Sequence, residues 1–306
     1  MRSYKVTLWL IILNLAIPAQ AADTTGAFLK IGVGARPIGM GNAFTAVADD
    51  INALAWNPAG LAKLNKRELG VMHAELFADT YYDFLGYAHP TRLGTLGMGI
   101  NYLSQAEIEG RGLNREISGK FAAYDLAVTL SYAKPISIGD LGVNLKLLKS
   151  RIGDVSATGW AVDVGGIYKT WIPGLNAGLA VQNLGPGFKF LDEGSRLPLI
   201  FASGLGYQTS IGMILALDVK HRPYDSNTLV SFGTEYPALS AVTLRAGYLA
   251  ALAGNETGTV HGGQSQDLRG LATGLGFKIS NCRLDYAFSL AGELGSVHRF
   301  SLGAKF

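Results

Sequence analysis

Apolar residues alternate with small or polar ones in segment after segment of this chain, and the alternation continues to the last residue. In the final segment one face of an extended strand carries His298, Phe300, Leu302, Ala304 and Phe306. The opposite face carries Arg299, Ser301, Gly303 and Lys305. A period of two is typical of β-strands. The pattern therefore predicts a strand that holds the C-terminus in a sheet, where a chain end is otherwise loose.

Fourteen segments of this kind follow one another from about Arg67 onward. We predict strands centred near Val71, Phe84, Met98, Val128, Leu145, Val162, Leu179, Ala202, Leu215, Phe232, Leu244, Gly274, Tyr286 and Leu302. The number is even, as is usual for bacterial single-chain membrane barrels. Each segment has about the ten residues that a tilted strand needs to cross the hydrocarbon layer.

The second face of these strands indicates a membrane barrel rather than a soluble sandwich. It is mostly Gly, Ala and Ser, interrupted by charged residues that include Asp218, Glu235, Arg245, Arg283, Asp285 and Arg299. A Lys or Arg that faces lipid at the midplane costs about 2 to 4 kcal/mol. We therefore expect the charged side chains to face an enclosed lumen and the apolar side chains to face the bilayer.

Composition agrees with export and with strands as the membrane-crossing elements. Of the 306 residues, 48% are hydrophobic, and the mean hydropathy is +0.22. Residues 1–21 have the basic, apolar and Ala-x-Ala regions of a cleavable signal peptide. No later apolar run reaches 18 residues, so any membrane-embedded part must be a closed barrel. Cys282 is the single cysteine, so no internal disulfide can form.

The connections and the aromatic residues predict the orientation of the barrel. Connections after odd strands include the long polar segments QAEIEGRGLNREISGK, LGPGFKFLDEGSRLP and AGNETGTVHGGQSQD. Those after even strands are short, as periplasmic turns are. Aromatic residues gather beside the short turns, at Tyr87, Tyr132, Tyr168, Trp171, Tyr207, Tyr236, Phe277 and Phe306. They predict a periplasmic aromatic girdle in the bacterial outer membrane.

Residues 22–66 do not alternate, and we predict that they form a hatch inside the barrel of residues 67–306. Asn42 is a suitable N-cap for a short helix from Ala43 to Ala48. Asp49 and Asp50 are expected to pair with Arg245, Arg283 or Arg299, because buried charges need partners. The fold class is thus an all-β, 14-stranded outer-membrane barrel with an N-terminal plug that contains a short helix.

Two stretches carry a family resemblance. GARPIGMGNAFTAVADDINALAWNPAGLA resembles the N-terminal signature of the PorV/PorQ (UPF0164) family, relatives of the FadL transporters of hydrophobic compounds. VQNLGPGFKFLDEGSRLPLIFASGLGY is similar to a later part of the same family. Asn57-Pro58-Ala59 is similar to the NPA motif of the wider group. The resemblance implies a plugged fourteen-stranded barrel in which Asn57, Pro58, Ala59, Asp49 and Asp50 are hatch or gating candidates.

Three functions remain open on the sequence. The first is passage or binding of hydrophobic compounds. The second, also implied by the resemblance, is a non-enzymatic subunit of a type IX secretion system that binds exported proteins or the translocon. The third is a structural, porin-like barrel.

The spacing of His, Ser and acidic residues indicates no catalytic, cofactor or metal site. Outer-membrane lipid and lipopolysaccharide are expected partners. The barrel-assembly machinery is another, because a C-terminal Phe such as Phe306 on an alternating strand resembles the signal that it reads. Acidic and basic residues are nearly balanced in number, which does not indicate nucleic-acid binding.

Overall fold

Fourteen antiparallel strands close into one barrel, which confirms the predicted fold class. The structure, a computed structural model, describes residues 24–111, 117–190, 193–253, 270–292 and 295–306. Within these ranges the barrel strands are β1 Glu68–Glu75, β2 Thr80–Thr91, β3 Gly94–Arg111, β4 Ile117–Ile136, β5 Gly139–Ile152, β6 Val155–Lys169, β7 Leu175–Leu184, β10 Ile200–Gln208, β11 Ile214–Arg222, β12 Asn227–Pro237, β13 Val242–Ala253, β14 Leu271–Ile279, β15 Cys282–Leu290 and β16 Ser296–Lys305. Two more strands, β8 Phe188–Phe190 and β9 Glu193–Ser195, form a separate hairpin.

The first and last strands close the barrel by pairing with each other. β1 pairs with β2 on one side and with β16 on the other, with Glu68 opposite Lys305. Beyond the strands, the amides of Arg67 and Phe306 donate to each other's carbonyl oxygens at 3.1 and 3.0 Å. All fourteen predicted strand centres fall within barrel strands.

Most outward side chains are apolar and most charged side chains of the strands face inward, as the alternation predicted. On β5, Leu145 is 44% exposed and its neighbour Lys146 is 7% exposed. The inward charges Asp163, Asp218, Arg245 and Asp285 are buried. An outward apolar band around a closed barrel is the surface that a bilayer requires. The protein is therefore an outer-membrane barrel.

Short turns mark the periplasmic end. The six connections that the structure describes at this end have two to five residues each. At the other end β5 and β6 are also joined by two residues, but the connection from β7 to β10 runs over residues 185–199. The girdle residues Tyr168, Trp171, Tyr236 and Phe306 lie beside such turns or at the C-terminus and are exposed. The opposite end is the extracellular end.

One predicted long loop is wrong. Of QAEIEGRGLNREISGK, residues 105–111 belong to β3 and residues 117–120 belong to β4, and the pairing extends to Arg111 opposite Ile117 with two irregularities in register. Strand pairing uses backbone groups, so a polar sequence does not prevent it. AGNETGTVHGGQSQD, apart from its first residue, and the predicted signal peptide lie outside the described residues.

The segment before β1 fills the lumen with short helices and turns. It contains 3-10 helices at Ala27–Lys30 and Pro58–Lys63, and α-helices α1 Ala35–Gly39 and α2 Ala53–Trp56. Met40, Phe44 and Leu61 are completely buried. No helix in the described ranges is long and apolar enough to cross a membrane. We use hatch for residues 24–66.

The predicted helix from Ala43 to Ala48 is wrong, because a wall residue takes the backbone donors that a cap would use. Asp218 of β11 accepts hydrogen bonds from the amides of Phe44 and Thr45 at 2.9 and 2.8 Å, and from the Thr45 hydroxyl at 2.6 Å. Asn42 instead has a left-handed backbone (φ 71°) after α1, where its amide bonds the Pro37 carbonyl at 3.0 Å. It therefore helps to end one helix and does not begin another.

Candidate functional site: the plugged lumen

Arg36 of α1 ties the hatch to the wall near the periplasmic end. Its guanidinium donates to both carboxylate oxygens of Glu235 on β12, at 2.7 and 2.8 Å. It also donates to Asp50 at 2.8 Å and contacts Asp49, both in the hatch. This bidentate contact with Glu235 is the geometry in which arginine binds a carboxylate most specifically.

The same charges continue around the wall and return to the hatch. Arg245 of β13 donates to Glu235 at 2.6 Å and to Asp285 of β15 at 2.8 Å. Arg283 donates to Asp285 and to Asp50, both at 2.7 Å. We call this closed circuit the ionic ring; its members are Arg36, Asp50, Arg283, Asp285, Arg245 and Glu235.

Each ring member lies between two opposite charges, so no buried charge in the circuit is left unpaired. Burial alone would raise the pKa of the Asp50 carboxyl, but the guanidinium groups of Arg283 and Arg36 outweigh burial and hold that pKa well below its usual range. Asp50 is therefore ionised at neutral pH. The ring can hold the hatch electrostatically as long as all its members are present.

Asn57 anchors the hatch to the opposite part of the wall through hydrogen bonds to the backbone. Its side-chain amide donates to the carbonyls of Thr45 at 2.8 Å, Gly166 at 3.2 Å and Leu179 at 3.3 Å. Its side-chain oxygen accepts from the amide of Ala59 at 3.2 Å and so caps the 3-10 helix that begins at Pro58. Asn57 thus fixes a turn of the hatch and joins that turn to β6 and β7.

Beside Asn57-Pro58 the wall residues are glycines, so no wall side chain separates the hatch from the strands there. A Cβ atom on Gly165 would lie 2.0 Å from the Asn57 side-chain oxygen, and one on Gly142 would lie 2.3 Å from the Pro58 carbonyl carbon. Glycine allows this close approach of two backbones. Hatch and wall are therefore in direct contact here.

Several outer-membrane proteins of known structure share the fold of this plugged barrel. The Pseudomonas putida toluene transporter TodX superposes with a TM-score of 0.66 at 15% identity, over 90% of this chain and 99% of that one. The Ralstonia pickettii toluene transporter TbuX gives 0.64 at 14%, over 90% and 98%. A Pseudomonas aeruginosa FadL homologue gives 0.59 at 13%, over 90% and 98%. At these identities the similarity establishes the fold.

Sequence comparison matches one family model to part of the chain. Residues 18–150 match the profile of the Uncharacterised protein family UPF0164. The resemblance to UPF0164 is confirmed. No curated protein matches the sequence significantly. The UPF0164 segment includes the whole hatch and β1 to nearly the end of β5, whereas the ring members Glu235, Arg245, Arg283 and Asp285 lie beyond it.

Above the packed part of the hatch lies a cavity of about 180 Å³. Apolar side chains from the hatch and the wall line much of it: Leu29, Ile31, Val33, Leu54, Trp56, Leu229 and Leu249. Polar groups are present as well, among them Lys146, Gln182 and Lys220. Lys220 lies 4.0 Å from the centre of the Trp56 ring and donates to the Asn42 carbonyl at 2.9 Å.

The extracellular side of this cavity is covered by a lid. We use lid for residues 24–31 together with the β8–β9 hairpin. Lys30 pairs with Asp225 of the β11–β12 turn at 3.2 Å, and the amide of Thr25 donates to the Arg196 carbonyl at 2.9 Å. Phe28 and Phe188 are fully buried. Phe188, which belongs to the predicted long loop LGPGFKFLDEGSRLP, thus packs inside the lid.

The structure brings most of the predicted site residues together. Asp50 pairs with Arg283 as predicted, and Arg245 and Asp285 complete the ionic ring. The prediction for Asp49 is wrong, because Asp49 contacts Arg36 of the hatch instead of an arginine of the wall. Arg299 lies apart and donates to Ser289 at 3.1 Å. Phe306 is 58% exposed beside β1.

Three functional positions were not predicted as hatch contacts: Arg36, Asp218 and Glu235. Arg36 stands between glycines in GARPIG, and its charge within an otherwise apolar plug was the available signal. Asp218 and Glu235 were predicted only as lumen charges. Their hatch partners are Phe44, Thr45 and Arg36, which are remote in sequence. Alternation predicts the face on which a side chain lies but not the residue that it contacts.

Proposed function

We propose that the protein conducts small hydrophobic compounds across the outer membrane through its lumen. The main support is the cavity between lid and hatch, because apolar side chains form about half of its lining and it lies inside a closed barrel. Its volume of about 180 Å³ is close to that of an engineered apolar cavity of roughly 150 Å³ that binds benzene. The FadL-type fold, shared with toluene transporters, supports the same substrate class.

The polar groups of the cavity set a limit on the cargo. Lys146 is neutralised by Asp163 at 2.7 Å, and Lys220 lies against Trp56. Lys30, which also lines the cavity, pairs with Asp225 at 3.2 Å. A compact apolar molecule can therefore occupy the space without separating these ion pairs. Passage further requires the hatch to move, because hatch side chains fill the periplasmic half of the lumen.

A filled cavity should stop passage. Ala127 lines the cavity from β4, and its neighbour Val128 faces outward. We expect Ala127→Phe to lower uptake of radiolabelled toluene by cells at least tenfold, whereas Val128→Phe should leave it unchanged. Both variants must show the heat-modifiable gel migration of the folded barrel. Unchanged uptake by Ala127→Phe, or equal passage of a hydrophilic sugar, would refute the proposal.

The second candidate is a subunit of a type IX secretion system, which the PorV/PorQ resemblance of the UPF0164 segment supports. This function needs no passage through the lumen and requires a stable protein partner. Purification of the full chain from native membranes in mild detergent distinguishes the two. Stoichiometric recovery of a much larger translocon would favour secretion, and recovery of the barrel alone would leave conduction as the better account.

A further inference from the structure

Two basic side chains stand together on the lipid-facing surface at the extracellular end of β5. Lys149 and Arg151 are exposed and two residues apart, so they lie on the same face of the strand. On the described outward faces of β10 to β16 there is no Lys or Arg. The positive charge is therefore local to one side of the barrel.

The height of this pair matches the outer membrane-water interface. Gly139 pairs with Tyr168 of the periplasmic girdle, and Lys149 lies ten residues further along β5. Ten residues of a strand tilted by about 40° rise on the order of 25 Å along the membrane normal, which equals the height of the apolar band. Lys149 and Arg151 are thus level with lipid headgroups of the outer leaflet.

Below the pair the surface is apolar and grooved. Lys149 lies opposite Leu126 on β4 and Thr158 on β6, and Leu147 lies opposite Trp160. These residues line an outward groove of about 500 Å³. The groove runs toward the membrane interior from the two charges.

Aromatic side chains border the same patch. Tyr124 lies opposite Arg151, and its ring is 5.9 Å from that of Tyr102. Arg151 donates from Nε to the Gly153 carbonyl at 2.8 Å, which fixes the guanidinium beside the β5–β6 turn. Interfacial aromatic residues next to fixed cations favour a ligand with a charged head and an apolar body.

We propose that Lys149 and Arg151 bind a phosphate group of a lipid A-type glycolipid in the outer leaflet, with an acyl chain in the groove below. The phosphate matches the local positive charge, because guanidinium and ammonium groups form charge-assisted hydrogen bonds to phosphate oxygens. The acyl chain matches the surface that Leu126, Leu147 and Trp160 form. This site is independent of the proposed conduction, since it lies on the opposite face of the wall.

The test compares lipid binding by the full chain and its variants in detergent, measured by native mass spectrometry. The probes are bisphosphorylated lipid A, lipid A without phosphates, and phosphatidylglycerol. The variants are Lys149→Ala/Arg151→Ala and, as a matched control, Lys134→Ala, which removes an exposed cation near the periplasmic end of β4. Heat-modifiable migration confirms that each variant is folded.

We expect the double variant to bind bisphosphorylated lipid A at least tenfold more weakly, and Lys134→Ala to bind it like the original chain. Lipid A without phosphates should bind the original chain as weakly as the bisphosphorylated form binds the double variant. Equal binding by the original chain and the double variant would overturn the proposal. So would binding of phosphatidylglycerol with the same affinity and the same dependence on Lys149 and Arg151.

Discussion

The two faces of the barrel wall follow different rules, and adjacent residues of β6 show the difference. A Cβ atom added to Gly165 would meet the Asn57 side chain at 2.0 Å, whereas one on Gly166 would meet its nearest neighbour, Leu141, at an ordinary 3.4 Å. The outward face is determined by a fluid bilayer that accepts many apolar shapes. The inward face is determined by one particular segment of the same chain. Substitutions of equal size should therefore be tolerated outside and costly inside.

The ionic ring should show the largest effect. Arg36→Met removes the cation that pairs Asp50 and Glu235, which leaves two buried carboxylates with one partner each. Loss of one member of a buried ion pair typically costs about 3 to 5 kcal/mol. We expect a decrease of this size in the free energy of unfolding, measured in urea with the folded barrel in detergent.

Arg67→Met is the matched control for the ring, because Arg67 is exposed just before β1. Surface substitutions usually change stability by no more than about 0.5 kcal/mol. If the free energy of unfolding decreases equally in the two variants, the ring does not hold the hatch. Inward charges would then contribute no more to stability than exposed ones.

The adjacent glycines give the most direct comparison of the two faces. Gly165→Ala forces Asn57 or the backbone to shift, and overpacking of this kind typically costs about 1 to 3 kcal/mol. Gly166→Ala adds the same methyl group toward lipid and should be neutral or slightly stabilising. Urea unfolding of both variants measures the difference. Equal stabilities would show that the hatch adjusts to the wall as easily as lipid does.

Asn57 distinguishes a wall anchor from a simple helix cap. Asp and Asn cap helices about equally well, so a cap-only role predicts that Asn57→Asp is harmless. In the structure the Asn57 amide donates to three carbonyls, and a carboxylate would instead face them with an acceptor. We expect Asn57→Asp to destabilise the folded protein by about 1 to 3 kcal/mol, and by at least as much as Asn57→Ala.

The same contrast explains what the sequence could and could not predict. Alternation located the centre of every barrel strand and the outward apolar face, because a period of two alone determines which side chains meet lipid. It also placed Asp50 near Arg283, since a charge in a closed lumen needs a partner. It could not predict that Asp218 would take the donors of Phe44 and Thr45 and so prevent a helix. That outcome depends on a contact between residues more than 170 positions apart.

The smallest effect concerns pH, and its sign follows from Asp50. The pKa of this carboxyl is lowered in the folded protein, so its stabilising contribution is complete above the unfolded pKa of about 3.9. The contribution is lost only as the pH falls below that value toward the folded pKa.

Arg36 and Arg283, which face Asp50, keep their charge throughout this range. Acrylamide quenching of Trp56, with Trp9, Trp160 and Trp171 replaced by Phe, should therefore be the same at pH 7 and pH 5 and should rise below about pH 4. Quenching that rises between pH 7 and pH 5 would mean that a group other than Asp50 controls the hatch, and the inward face would then be less tightly paired than its distances indicate.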